Sequence, residues 1–467
     1  MKNFNIQFLL LIFFSICLAQ AQENNIKALT GAIIYDGNGN RISNGTIIIK
    51  NKRIMAVGDE NIKIPENARQ LDVSGKYIMP GMVDAHVHFF QTGFFDSRPD
   101  AADLRDSIPL ESVVDYQRSN PDRYYPAYLG SGVTAVYDVG DYLWTLNLQK
   151  NNDQRPDAPH VATAGPLITP APKELISIFE VEDDHTFVHL DSEETGREAV
   201  RENSAAGTTG IKVWGFRPND PEFVKNIEAV ADEIEKQDNK MIAHATSLEE
   251  AKMALELGAE LLVHSVENTL VDDEFLQLLK KNNAFYNPTM IVSRGYYNTY
   301  KALLGEGFDI DDPKNLLDPK TKSMMQNASK FKKYRDSSSL ARLEAGLPGM
   351  DERMSQTSEI IKANLKKVYD SGARIVVGTD AGNPGTLHGI SYIKELEAMQ
   401  DAGIPARDLI VMATRNGARA MERLDDFGSL EEGKFANLII MDNDPAEDIS
   451  NLRSLEKVIL KGEFYGE

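Results

Sequence analysis

Six side chains in this sequence have the types and spacing that bind metal ions. In "IMPGMVDAHVHFF" (residues 78–90), His86 and His88 stand one residue apart at the end of an apolar run. Strand side chains alternate faces, so the two imidazoles would lie side by side, as gripping one ion requires. An isolated pair would fit the solvated face of an edge strand equally well. Four further residues decide the matter. "GIKVWG" holds Lys212 among apolar neighbours, "MIAHATS" holds His244, "LLVHSVE" holds His264 and "VVGTDAG" holds Asp380. Taken singly, a strand-end histidine is ordinarily a hydrogen-bonded structural residue, and an aspartate before Ala-Gly a turn former. Four of the eight histidines, one lysine and one aspartate at equivalent strand ends form a ligand pattern.

The lysine is the unusual member, because lysine is almost never buried unless paired. Beside divalent cations in an apolar setting an ammonium is disfavoured, and its pKa falls. The neutral amine can then add carbon dioxide and become a carbamate, an anionic two-oxygen group able to bridge two metals. Lys212 is therefore expected to be carboxylated on its side-chain nitrogen. The single cysteine, Cys17, lies in a segment expected to be removed, so neither a disulfide nor a thiolate site is available to the mature chain. Imidazole and carboxylate donors suit zinc, with manganese or iron as alternatives.

Positioning these residues requires a repeating scaffold. Eight short apolar runs alternate with amphipathic segments such as "PEFVKNIEAVADEIEKQ" and "SLEEAKMALELG". Strand-then-helix alternation marks βα units around a parallel sheet. The runs are "GMVDAHVHF", "GVTAVYDVG", "HVATAGPLI", "GIKVWG", "KMIAHATS", "ELLVHSVE", "AFYNPTMIV" and "RIVVGTDAG". The fold class expected is α/β: a (β/α)8 TIM barrel over residues 80–427, whose functional residues sit at the C-terminal strand ends. Hairpin signals before it and a similar texture after it predict a small discontinuous β-sandwich from residues 22–79 and 428–467. Insertions at about 89–125 and 291–360, rich in Tyr, Phe and Arg, would cover the barrel mouth or form a dimer surface.

With 467 residues, 42% apolar and 26% charged, the chain has the composition of a globular protein. A formal charge of −21 argues against nucleic acid or an anionic membrane surface as partner. Residues 1–21 carry Lys2, an apolar stretch too short to span a bilayer, and the small pair Ala19 and Ala21. That is a cleavable signal peptide, which implies export to a periplasm or beyond and no stable membrane insertion after cleavage. A homo-oligomer is compatible with the sequence.

The ordered set HxH, Lys, His, His, Asp resembles the amidohydrolase superfamily, in its binuclear, carboxylated-lysine branch. "YIMPGMVDAHVH" resembles the family's first strand and "SGVTAVYDVG" its second; "MATRNGARAM" with "GSLEEGKFANLIIMDNDP" resembles its closing segment. Asn437 stands where that segment usually carries aspartate. The resemblance implies that His86, His88 and Asp380 hold the more buried metal, His244 and His264 the second, and carboxylated Lys212 bridges them. It also implies a metal-bridging hydroxide as nucleophile, with Asp380 catalytic, taking its proton and delivering it to the leaving amine.

Two further residues are candidate substrate contacts, His388 eight residues past Asp380 and Tyr137 in the second strand; each would serve equally as a structural side chain. Arg294 fits a surface ion pair better than a substrate contact. The expected activity is hydrolysis of an amide-type C–N bond in a small molecule, most like Xaa-Pro dipeptidases or imidazolonepropionase-like hydrolases; a lactone remains an alternative. A mononuclear deaminase would need a glutamate near its metal; strand five offers none, but Glu267 follows His264, while Lys212 argues against a single-metal site. A barrel kept only for binding would not retain all six ligand types.

Overall fold

Runs rich in Ile and Val, broken by Asp-Gly and Asn-Gly turns, make the strands at the two ends of the chain. The computed structural model describes residues 26–182, 184–334 and 337–466, so the expected signal segment 1–21 lies outside the described residues. Ile26–Tyr35 pairs antiparallel with Arg41–Lys50, which pairs with Arg53–Gly58. Register shifts between Thr30 and Ile34 bend the first strand, and its other edge takes Arg69–Asp72 and then Tyr77–Pro80. Tyr77–Pro80 pairs in turn with Leu438–Met441 from the far end of the chain, followed by Leu455–Leu460 and Glu463–Phe464. The expected sandwich is thus one eight-stranded sheet. Bulges are the reason: they let a single bent strand serve both arms. Ile47 and Ile49 pack in one apolar cluster and Ile48 in another, as side chains on opposite faces do.

Between these ends, each of the eight runs contains a parallel strand. They are β1 (Met82–Val87), β2 (Val133–Asp138), β3 (His160–Thr163), β4 (Ile211–Trp214), β5 (Met241–His244), β6 (Leu261–Val263), β7 (Phe285–Asn287) and β8 (Arg374–Ile375). Helices return the chain between strands, and their starts carry the expected caps. Ser192 accepts from Thr195 N, Asp220 from Glu222 N and Phe223 N, and Ser247 closes a capping box with Glu250.

The closed ladder expected of a barrel is replaced by two parallel sheets. One holds β1, β2 and β3; the other holds β4 to β8 with the short strands Leu167–Thr169 and Phe187–His189. Single hydrogen bonds cross both seams. Thr209 N donates to Thr163 O (2.8 Å) at one; Ala85 N donates to Val377 O (2.9 Å) and Asp380 N to His86 O (2.7 Å) at the other. The ladder breaks where the chain leaves strand geometry. Gly165 turns it after β3 at φ +64°, Asp380 sits at φ +60°, and Thr379 N gives its hydrogen to the Asp84 side chain (2.9 Å).

The two insertions pack against each other above the strands. Phe94, Phe95 and Leu104 of the first join Leu303, Leu317 and Met325 of the second in one buried cluster. The second contains the helices Val292–Leu304, Pro319–Gln326 and Ser337–Asp370.

Candidate metal centre

The strand ends converge. His86 and His88 leave β1 side by side, with ring centroids 5.2 Å apart; His86 lies 5.1 Å from His264, and His264 lies 4.3 Å from His244. Asp380 Oδ1 is 3.2 Å from His86 Nε2 and 3.1 Å from His88 Nε2. His86, His264 and Asp380 each offer a ligand atom within 4.8 Å of the others. His88, Lys212, His244, His264 and Asp380 all line one cavity of about 280 Å³. His86 is fully buried beneath it. The fold therefore gathers the six residues singled out by spacing, the histidines and Asp380 near or beyond the C-terminal ends of their strands and Lys212 from within β4.

The donor set suits a divalent cation on physical grounds. The Nδ1–H of His88 donates to Gly140 O (2.7 Å), which leaves its Nε2 with a lone pair facing a carboxylate oxygen. Two such atoms 3.1 Å apart repel unless a proton or cation lies between them. Both nitrogens of buried His86, and Oδ1 of Asp380, have no hydrogen-bond partner among the described residues. A cluster of buried polar atoms without partners is one that a bound cation would satisfy. Burial, then the nearby Lys212 charge, push the His86 imidazole well below its usual range and His244 down to about 3. Burial and then His244 and Lys212 do the same to His264. Lys212 is itself pushed down to about 7 by burial, against the pull of Asp380 and Asp138. Neutral imidazoles and a readily neutralised amine are the protonation states that metal ligation requires.

Supporting groups hold this geometry. Asp84, fully buried, accepts from Thr379 N and Thr379 Oγ1 (2.6 Å) and so fixes the segment that carries Asp380. Thr289 Oγ1 lies 2.8 Å from His264 Nδ1 and orients that ring. Asp138 and Asp141 are hydrogen-bonded to each other beside His88, and burial raises both. Asn287, at the end of β7, is buried with both amide atoms unpartnered, close to His86 above Gly378. Sequence reasoning passed over these five, Asp84, Thr289, Asp138, Asp141 and Asn287. Asp84 was detectable, since the period-two pattern of His86 and His88 extends back to it; Asn287, Asp138 and Asp141 look like ordinary strand-end and turn residues.

Two expected substrate contacts lie elsewhere. His388 is buried outside the cavity lining, its Nδ1 2.7 Å from Tyr128 OH and its Nε2 2.8 Å from Gln91 O, against the rings of Phe89 and Tyr124. Both nitrogens are spent on the first insertion, which it anchors. Tyr137 points into the apolar interior between the strands and donates to Thr209 O (2.9 Å). It is a core residue: alternation points it to the interior, and its hydroxyl reaches Thr209, just before β4 begins, at the end of the strands away from the mouth. Arg294 forms the surface ion pair expected of it, with Asp351 at 3.0 Å.

A parallel α/β scaffold that brings four histidines, a lysine and an aspartate together presents a candidate metal centre, and the sequence comparison supplies the family. Residues 77–464 match the model of the amidohydrolase family. The chain belongs to that family, and is a hydrolase acting on carbon–nitrogen bonds. Among curated relatives, the ochratoxinase of Aspergillus niger is 23% identical over 466 residues, covering 92% of this chain and 84% of the fungal protein. Its crystal structure superimposes with a TM-score of 0.69 at 20% identity, over 95% of this chain and 96% of that one. A Xaa-Pro dipeptidase with methionine bound in its active site gives a TM-score of 0.68 at 23% identity, over 94% of this chain and all of the other. A shorter match, 38% identical over 82 residues, covers 17% of this chain and 19% of the imidazolonepropionase of Geobacillus sp. strain WCH70.

Proposed function

We propose that the chain is a metal-dependent hydrolase that cleaves an amide-type C–N bond in a dipeptide or cyclic amide. The observation that carries this reading is the unshielded approach of Asp380 Oδ1 to the Nε2 atoms of His86 and His88, beside a buried lysine that loses its charge near neutrality. His86, His88 and Asp380 would hold one divalent ion, His244 and His264 a second, and Lys212, as its carbamate, both; zinc is the first choice for this donor set. Ions bound there would supply Lewis acidity for a carbonyl and a water acidic enough to attack at neutral pH.

The chain's own groups do the rest. Asp380 is the carboxylate placed to take a proton from the attacking water and hand it to the departing nitrogen. Asp84 holds the Thr379 segment so that Asp380 cannot swing away, and Gly140 fixes the tautomer of His88. The cavity of about 280 Å³ limits the substrate to a small molecule. Crossing hydrogen bonds at both seams support reading the two parallel sheets as one barrel within residues 80–427, with the terminal strands as a second unit. The N-terminal segment supports export to a periplasm or the medium, which the N-terminus of the mature protein recovered from those fractions would test.

A mononuclear deaminase is the second reading, favoured by Glu267 lining the same cavity; Lys212 opposes it, since one metal needs no bridge. Metal analysis of the mature protein, run beside a panel of dipeptides, ring amides, aminated heterocycles and lactones, separates the two. Two ions per chain with amide cleavage is the expected result. One ion with ammonia release favours the deaminase, and turnover of nothing on the panel overturns both.

A further inference from the structure

The cavity has two unlike halves. One wall is aromatic and aliphatic. Leu167 and Phe179, with Phe187 and Trp214, face inward from the segments after β3 and from the end of β4. Phe179 and Phe187 have ring centroids 5.2 Å apart, Phe187 and Trp214 5.5 Å, and Trp214 lies 6.3 Å from His244. An apolar path therefore runs from the mouth to a proposed metal ligand.

Another part of the lining is polar, and the charges of Arg98 and Asp100 there are paired. Arg98 gives Nε and Nη2 to Asp100 at 2.8 and 2.7 Å, and Nη1 to Asn383 and Gln91. That pair leaves neither a free cation nor a free carboxylate for a ligand.

Glu267 is different. It lines the cavity three residues past His264 and is half-buried, with its backbone N bound to Thr246 O (2.8 Å). No hydrogen bond or ion pair satisfies its carboxylate among the described residues. Burial alone shifts its titration, upward, with no cation acting to lower it. A carboxylate drawn partly out of water without a partner is costly, and a ligand cation would offset that cost.

Position makes the match more specific. Trp214 pairs in register with His244, and His244 with Val263, so the ends of β4, β5 and β6 lie side by side. Two strand spacings, about 10 Å, separate the aromatic wall from the His264 end. That is the scale of one amino acid residue with its side chain extended. Glu267 follows His264 by three residues and lines the same cavity, so a cation on its carboxylate would lie on the side of the proposed metal ligands, where a substrate's α-ammonium fits.

We infer that Glu267 receives the free α-ammonium group of the substrate, while the apolar side chain of the same residue lies against Phe179, Phe187 and Trp214. The substrate class is then an unblocked aminoacyl amide, dipeptides included, with a large apolar N-terminal residue. This rests on the amide-hydrolase reading above and narrows it.

The test uses the metal-loaded full mature chain and matched pairs: phenylalanyl-alanine, its N-acetyl derivative, and glycyl-alanine. The free amine is expected to exceed the acetylated compound at least tenfold in kcat/KM, and phenylalanyl to exceed glycyl by a similar factor. Glu267→Gln should compress the first ratio through KM, and Trp214→Ala the second. Equal or faster cleavage of acetylated substrates overturns this inference alone. So does Glu267→Gln that binds metal normally yet leaves the first ratio intact, or that abolishes turnover of both compounds, since the latter marks a proton donor. No cleavage of any amide overturns the parent reading as well. Should Glu267→Gln fail to fold, phenylalaninol and N-acetylphenylalaninol are compared as inhibitors of the wild-type chain. Tighter inhibition by the amine supports the assignment, and equal inhibition overturns it.

Discussion

His88 Nε2 and Asp380 Oδ1 face each other at 3.1 Å across strands β1 and β8, with the second nitrogen of His88 committed to Gly140 O. A lone pair and an anion at that distance define where a cation belongs. The relationship also ties the proposed proton carrier to the proposed ligand set, so that metal content and turnover must be read together when Asp380 is altered.

Asp380→Asn keeps the shape of that contact and removes the charge. It is expected to lower kcat by about 10²–10⁴-fold, the usual contribution of a positioned acid–base group, with KM changed much less. Steady-state kinetics and metal analysis on the same preparation check this. Unaltered kcat with normal metal content would remove Asp380 from the chemistry.

Lys212→Ala should bring metal content toward one ion per chain and abolish activity, with partial rescue by acetate or another short carboxylate. Two ions and full rate in that variant would rule out the carbamate. The pH dependence has a definite sign. The amine, pushed down to about 7 by burial, is charged below that value and free to add carbon dioxide above it. Carbamate formation on metal-free protein in ¹³C-labelled bicarbonate should therefore rise with pH across neutrality, read by its carbonyl NMR signal.

Gly378 is a position in the Asp380 segment where a methyl group has nowhere to go. A Cβ there would sit 2.1 Å from Asn287 Nδ2 and 2.7 Å from both Cβ and backbone N of His86. Gly378→Ala is expected to cost about 1–3 kcal/mol through overpacking and to weaken metal retention by displacing His86. Thermal unfolding and metal content, measured together, test it; an unchanged metal site would show that Asn287 gives way instead.

The departure at Asn437 has a structural consequence. Its Nδ2 lies 2.9 Å from His160 Nε2 and its Oδ1 accepts from Lys461 N (2.8 Å), while His160 Nδ1 is 2.6 Å from Asp153 Oδ1. With Asn437 donating to Nε2, the ring stays neutral, and burial pushes its pKa down to about 4 despite Asp153. The unfolded chain, titrating near 6.5, takes up the proton first as pH falls. This site's contribution to stability is therefore present above about 6.5 and lost as pH falls toward 4. Asn437→Asp would place a second carboxylate on the imidazole and favour its charged form, so the acid-unfolding midpoint should move to lower pH. An unmoved midpoint would mean that His160 does not govern acid stability.

The ligand set was legible in the sequence because the histidines and Asp380 stand at or just past the ends of short apolar runs, which a parallel scaffold puts at one rim, while Lys212 stood out as a lysine inside such a run. The same alternation rule that found His86 and His88 would have turned Tyr137 inward, had its distance from the strand end been weighed. His388 was misplaced because nearness in sequence to Asp380 said nothing of the insertion that captures both its nitrogens. The sandwich and the closed ladder were inferred from strand texture, which carries no record of bulges or of side chains such as Asp84 that take a backbone partner.

By itself, the order of residue types determined the strand–helix repeat, the six metal-binding candidates and the family to which the chain belongs. Those features are written locally, in periodicity and in the chemistry of single side chains. Only the tertiary structure decided which part of the cavity lining is apolar, that Arg98 is closed by Asp100 while Glu267 stands open, and that His160 is buried against Asn437. The aromatic wall and the Asn437–His160 pair join segments far apart in the chain, and even the local Arg98–Asp100 pair and the open Glu267 depend on burial that no local pattern encodes.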